Sequence, residues 1–231
     1  LRFSIIFVLS LLATQVFGQK LAIPSPNASV SLIAGVTKIT IDYSSPGVKG
    51  RTIWGELVPY DIAWRAGANQ ATKITFSDDV SFESDKTATK IPAGSYSVFV
   101  MPTKKGDWTV HISKGNSVFS YQKDGKQDLK ALKADDVLSF KVKPEAQSSS
   151  QERLAYYITP TNDNDAKVTL HWEKMKVSFV IKTDVIAGSV KNIKEATSKY
   201  EGAWYTLANS AQFYEQNGQD LKEANKCADA A

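Results

Sequence analysis

Apolar residues recur along this chain with a period of two, in short runs, and no other feature constrains its fold as strongly. In VTKITIDY, residues 36–43, Ile39, Ile41 and Tyr43 fall on one side of an extended chain and Lys38, Thr40 and Asp42 on the other. That alternation is the signature of a strand buried on one face. Similar runs stand at residues 73–76, 96–101, 108–112, 137–142, 154–159, 168–172 and 175–181. Turn-rich segments separate them, such as Lys104-Lys105-Gly106-Asp107, Lys123-Asp124-Gly125-Lys126 and Thr161-Asn162-Asp163-Asn164-Asp165. These break periodicity and stay hydrated. Many short strands joined in this way predict a mainly β fold, an antiparallel β-sandwich of jelly-roll or immunoglobulin-like type.

Local details refine the prediction. In VTLHWEKMKVSFVI the inward set Val168, Leu170, Trp172 changes phase to Met175, Val177, Phe179, Ile181. The change needs one extra residue near Glu173-Lys174, which reads as a β-bulge or a tight turn. Ile91-Pro92-Ala93-Gly94-Ser95-Tyr96 places a proline and a glycine just before an apolar strand, so the chain turns a corner there. The low-complexity stretch Gln147 to Gln151 reads as a solvated hairpin loop.

Past Thr183 the period changes. Trp204, Leu207, Ala208, Ala211 and Tyr214 fall at helical spacing, Asn217-Gly218 is a stop signal, and Asp220 can cap a following helix. The expectation is a C-terminal α-helical hairpin whose small-residue and aromatic pattern is similar to half of a tetratricopeptide-like repeat.

At the other end Arg2 precedes an apolar run, Ile5 to Leu12, followed by Val16-Phe17-Gly18. That is the pattern of a secretory signal peptide cleaved near Gln19. No later segment approaches the roughly 20 apolar residues that span a bilayer. The expected organisation is a signal peptide over residues 1–18, a β-sandwich over 19–183, and a linker with a helical hairpin over 184–231, in a periplasmic or secreted protein. Cys227, the single cysteine, cannot form an internal disulfide. Stability must come from a core, and 42% hydrophobic residues supply one. A formal net charge of +4, with lysines scattered among 24 acidic residues, gives no concentrated basic patch, so nucleic acid is not an expected partner.

The candidate functional surface is the stretch from Tyr43 to Asn69, in which Gly, Pro, Trp and Arg crowd together with no helical period. It reads as an ordered loop. It holds Arg51 and Arg65, whereas the chain's other arginines are Arg2 and Arg153 alone. Arginine's planar fork suits fixed geometry. The two could converge on a carboxylate or phosphate, or each could bind loop carbonyls and acidic neighbours, since a long loop carries many backbone groups that need partners. Trp54, Tyr60 and Trp64 could form an aromatic platform for a sugar or cation, or a lid over the sandwich. Asn69 and Thr72 could present an amide and a hydroxyl at a pocket mouth, or cap the loop before the next strand.

Other chemistry is sparse. His111 and His171 sit on expected strands without the close spacing of zinc ligands. No metal or cofactor is expected, and no GxSxG elbow, phosphate-binding glycine loop or Cys–His pair offers a nucleophile. Glu152 and Glu173 are the carboxylates that a hydrolase reading would use, with Arg65 as electrophilic partner.

Several separated strings carry a family resemblance: Ser25-Pro26, Ile41-Asp42-Tyr43-Ser44-Ser45-Pro46, Lys49-Gly50-Arg51, Trp54-Gly55, Leu57-Val58-Pro59-Tyr60, Trp64-Arg65-Ala66-Gly67-Ala68-Asn69 and Pro92-Ala93-Gly94-Ser95-Tyr96. Together they make residues 25–183 resemble the exported bacterial family called domain of unknown function 2911. Ser45 and Ala66 stand where that pattern leads one to expect Arg and Thr. The resemblance implies no activity, because none is assigned to the family; it does imply helical repeats after the β domain in long members. The reading that follows is an exported, non-catalytic binding or interaction module. Its ligand would be a small polar or anionic molecule or a glycan, met by the loop of Arg51 to Asn69. The alternatives are an envelope hydrolase and a structural protein whose helical tail contacts an envelope protein.

Overall fold

The computed structural model describes residues 22–84, 87–123, 126–199 and 204–230. In chain order the strands are β1 (Asn27–Ala34), β2 (Thr37–Ser44), β3 (Thr72–Phe76), β4 (Val80–Ser84), β5 (Thr87–Ile91), β6 (Gly94–Met101), β7 (Trp108–Ser113), β8 (Gln122–Lys123), β9 (Lys126–Gln127), β10 (Asp136–Val142), β11 (Glu145–Pro160) and β12 (Asp165–Thr183). The helices are α1 (Leu129–Asp135), α2 (Val185–Lys199), α3 (Trp204–Gln216) and α4 (Leu221–Ala230).

A six-stranded antiparallel sheet runs in the order β1-β2-β3-β6-β7-β10, and a four-stranded one in the order β11-β12-β4-β5. Period-two alternation gives each an apolar inner face. Ile39, Ile41, Ile74, Phe76, Val98, Val110 and Ile112 of the first sheet meet Tyr156, Val168, Leu170, Trp172 and Ile181 of the second in one buried cluster. The fold is therefore a mainly β, sandwich-like pair of sheets. Each such side chain, fully buried, contributes about 1.5–3 kcal/mol.

The phase change in β12 occurs at Glu173, which adopts a left-handed backbone with φ 53°. Burial switches there from Val168, Leu170 and Trp172 to Val177 and Ile181. The stretch Gln147–Gln151 corrects the hairpin-loop expectation: it lies within β11, and the turn joining β11 to β12 is residues 161–164. The register shifts on either side of Gln151, which pairs with Glu173. The serines face solvent, so composition read as a loop although the backbone continues as an irregular strand.

The outer face of the larger sheet is polar. Register places Ser29, Asp42, Lys73, Ser97 and Ser113 side by side across β1, β2, β3, β6 and β7. A segment between β7 and β10 covers part of this face with a 3-10 turn (Val118–Tyr121), the β8–β9 hairpin and α1. Phe99, Tyr121 and Leu132 form a small second core beneath it. The Asp128 side chain caps α1 by accepting from the backbone N–H of Lys130 and Ala131, both at 3.0 Å.

The tail packs three helices rather than a bare hairpin. Asp184 caps α2 by accepting from the Ala187 N–H at 2.9 Å. Helix α2 then sits against the β1–β2 turn, where Gly35 has φ +58° and a Cβ would stand 2.2 Å from Val185 Cγ2. Lys191 reaches Asp78 in the β3–β4 connection at 3.0 Å. As the stop signal predicts, α3 ends at Gln216 and the chain turns through Gly218 with φ 61°, and Asp220 accepts from the Lys222 N–H at 3.0 Å to start α4. Leu207, Tyr214, Ala224 and Cys227 bury one another, with Val190 and Ile193 of α2 against them. No helix among the described residues is long and apolar enough to cross a membrane. The expected signal peptide lies outside the described residues.

Candidate functional site

The connection between β2 and β3 is long because it crosses the end of the sandwich. It is ordered by left-handed turns at Lys49, Asp61, Ala66 and Asn69, with φ between 49° and 61°. Arg51 donates from Nη2 to the Gly47 carbonyl at 2.6 Å and from Nε to the Val48 carbonyl at 3.1 Å. Its fork is thus spent on the loop's own carbonyls. Trp64 pairs with Val100 of β6 through backbone hydrogen bonds of 2.8 and 2.9 Å, and its indole N–H donates to the Gly67 carbonyl at 3.0 Å.

Trp54 and Trp64 pack inward. Their ring centroids lie 5.8 Å apart, with Trp54 at 4.7 Å from Trp108 and Trp64 at 5.7 Å from Trp172. Tyr60 packs against the backbone of Gly55. Thr72 is fully buried and donates to the Ala66 carbonyl at 2.9 Å, where the Tyr156 hydroxyl also donates at 2.9 Å. Burial pushes the Tyr156 phenol far above its ordinary range.

Arg65 and Asn69 behave differently. Both line a groove of about 840 Å³ on the outer face of the larger sheet. Strands β1 to β3 form its floor through Ser29, Asp42 and Lys73, and residues Asn116 to Phe119 form the opposite wall. Arg65 donates from Nη1 to the Asn69 carbonyl at 2.9 Å, and its guanidinium carbon lies 5.7 Å from the centre of the Phe119 ring. Asn69 Nδ2 donates to the Ser25 carbonyl at 3.0 Å and to Ser44 Oγ at 3.2 Å, and that hydroxyl donates to Asn27 Oδ1 at 2.9 Å. The chain of bonds fixes this wall.

Of the residues singled out in the sequence, the groove gathers Arg65 and Asn69. Arg51, Trp54, Tyr60, Trp64 and Thr72 lie outside its lining. Glu152 accepts from the Lys49 N–H at 3.0 Å and Glu173 from the Lys174 N–H at 2.5 Å; neither lines the groove, where Asp42 is the one carboxylate among the described residues. His111 is buried against Asp136, Nδ1 to Oδ2 at 2.7 Å, while His171 is buried on the other sheet. Burial, with Lys176 nearby, holds the His171 imidazole below its usual range. Among the described residues no group of three or more His, Cys, Asp or Glu side chains could hold a metal ion.

Sequence reasoning missed Lys73 and the wall of Asn116 to Phe119. Asp42 and Lys73 stood in the outward sets of their strands, but only the β2–β3 register sets them opposite each other. The family described as protein of unknown function (DUF2911) matches residues 25–181, more than half of the chain, taking in the whole groove and nearly all of both sheets. No curated protein matches the chain, and no solved structure does.

Proposed function

Since the chain belongs to this family, whose description assigns no activity, we propose from the groove itself that the protein is a non-catalytic binding module for a small polar or anionic ligand. The observation that carries this reading is the convergence of Arg65 and Lys73 on one groove in which amide and hydroxyl side chains outnumber charges. Arg65 commits one Nη to Asn69 and has further N–H groups to offer a ligand. Among the described residues neither cation is held in an ion pair by an acidic side chain. A glycosidase of the usual kind places two carboxylates across the scissile bond, and among the described residues the groove lining supplies Asp42 alone.

A thermal-shift screen of sugars, short peptides and phosphorylated metabolites tests this, because a ligand raises apparent stability by mass action. The expected result is a hit that Arg65→Ala weakens. A hit that is turned over, and whose turnover stops in Glu152→Gln or Glu173→Gln, overturns it.

The module is proposed to work outside the cytoplasm. What supports this is the apolar run Ile5 to Leu12 behind Arg2. Intact mass of exported material should correspond to a chain starting near Gln19. Retention of residues 1–18 in the membrane fraction overturns that part.

A further inference from the structure

We propose that the groove takes a sugar acid with one carboxylate, a single uronic acid alone or joined to a neutral sugar, rather than a phosphorylated metabolite; this rests on the binding reading above. Among the described residues the lining carries two cations, Arg65 and Lys73, and one carboxylate, Asp42, a net charge of one positive. A single negative charge on the ligand balances it. A phosphate monoester brings about −1.5 to −2 at neutral pH, and Asp42 stands directly opposite Lys73 in the strand register. The aspartate repels the second charge and so selects against phosphate. It costs less for a carboxylate, which a planar guanidinium holds by two parallel N–H bonds.

The remaining lining suits sugar hydroxyls. The amides of Asn27, Gln70 and Asn116 offer donors and acceptors together, and Asp42 accepts from hydroxyl groups. Phe119, 69% exposed beside the Arg65 guanidinium, offers an apolar face to the C–H side of a pyranose ring. At about 840 Å³ the groove falls toward the upper end of ordinary ligand sites, which span about 300–1,000 Å³. It has room for more than one ring.

Isothermal titration calorimetry on the full mature chain decides the matter. The probes are the methyl glycosides of galacturonic, mannuronic and glucuronic acid, a disaccharide of glucuronic acid and a neutral sugar, the methyl ester of each, and glucose 6-phosphate. At least one uronate should bind, and its ester should bind about tenfold or more weakly, a loss of about 1.4 kcal/mol. Glucose 6-phosphate should bind more weakly than that uronate, and Asp42→Asn should narrow the gap, with an unchanged melting temperature as the control for folding. An ester that binds as tightly as its acid overturns the proposal, as does a phosphate that binds more tightly. If a neutral sugar or phosphorylated metabolite binds and no uronate does, the ligand class falls and the binding reading stands. If nothing binds here or in the wider screen, both fall.

Discussion

The ring of Trp64 lies stacked on that of Trp172, centroids 5.7 Å apart and planes 19° from parallel, so a residue of the β2–β3 connection is joined to the centre of β12. Trp54 and Trp108 complete the cluster. Trp64→Ala removes this packing and the hydrogen bond to Gly67. The expected loss is about 3–5 kcal/mol, the range for large-to-small changes in a core. Denaturant melts with an unchanged slope and a lowered midpoint would show it. A variant of normal stability that lost ligand binding would instead place Trp64 in a binding platform.

The docking of α2 on the sandwich should be sensitive to acid. Burial raises the Asp78 carboxyl, but the hydrogen bonds of Lys191 and Ser77 outweigh it and hold the group below its ordinary value. Asp79 is likewise lowered, chiefly by the Ala93 backbone N–H and by Lys90. Carboxyls depressed in the folded state stabilise it fully above the unfolded value, about 3.9, and lose that contribution as pH falls through the lower folded values. Lys191 is raised by its hydrogen bond to Asp78, so its share is present at neutral pH and is lost only in strong base. Stability should therefore drop below about pH 4. Asp78→Asn should flatten part of that slope and, at neutral pH, speed amide exchange in α2, as hydrogen-exchange mass spectrometry would measure.

Gly35→Ala probes the same junction by a different route. A side chain at φ +58° costs about 1–2 kcal/mol, and the added Cβ must also push Val185 aside. The melting temperature should fall and exchange in α2 should rise together. Loss of stability with α2 still protected would mean that the turn relaxes without moving the helix.

The strands were legible where alternation was strong, as in Ile39, Ile41 and Tyr43, because one buried face imposes it. Strand β1 was not: in NASVSLIA serine occupies the outward positions opposite Val30 and Leu32, a pattern that an edge strand shares with a loop. Helix α1 has too few residues to show a period. The site was half legible for a similar reason. Composition drew attention to Arg51 and Arg65, but between them the chain takes positive-φ backbone at Gly55 and Asp61. Glycine marks the first of these turns, whereas Asp61, and Ala66 just after Arg65, are not residue types that announce one. Lys73 became a neighbour of Asp42 only through register, which the side-chain period leaves undetermined between strands.

The two arginines of the loop should separate cleanly by mutation. Arg51 bonds carbonyls at Gly47 and Val48 within its own turn and lies outside the groove lining. Arg51→Ala should lower stability by about 1 kcal/mol, less than the 1.5–3 typical of charged hydrogen bonds because the residue is exposed, and leave ligand affinity unchanged. Arg65 is held by one bond to Asn69 and by the Phe119 ring, and it lines the groove. Arg65→Lys keeps the charge but loses the planar fork, so an anionic ligand should weaken while the melting temperature holds. Arg65→Ala should weaken it further, by about 1.5–3 kcal/mol if the lost contact is a charged hydrogen bond. Calorimetry and melts on the three variants would decide it: equal affinity in Arg65→Ala and the unmodified protein would remove Arg65 from the site.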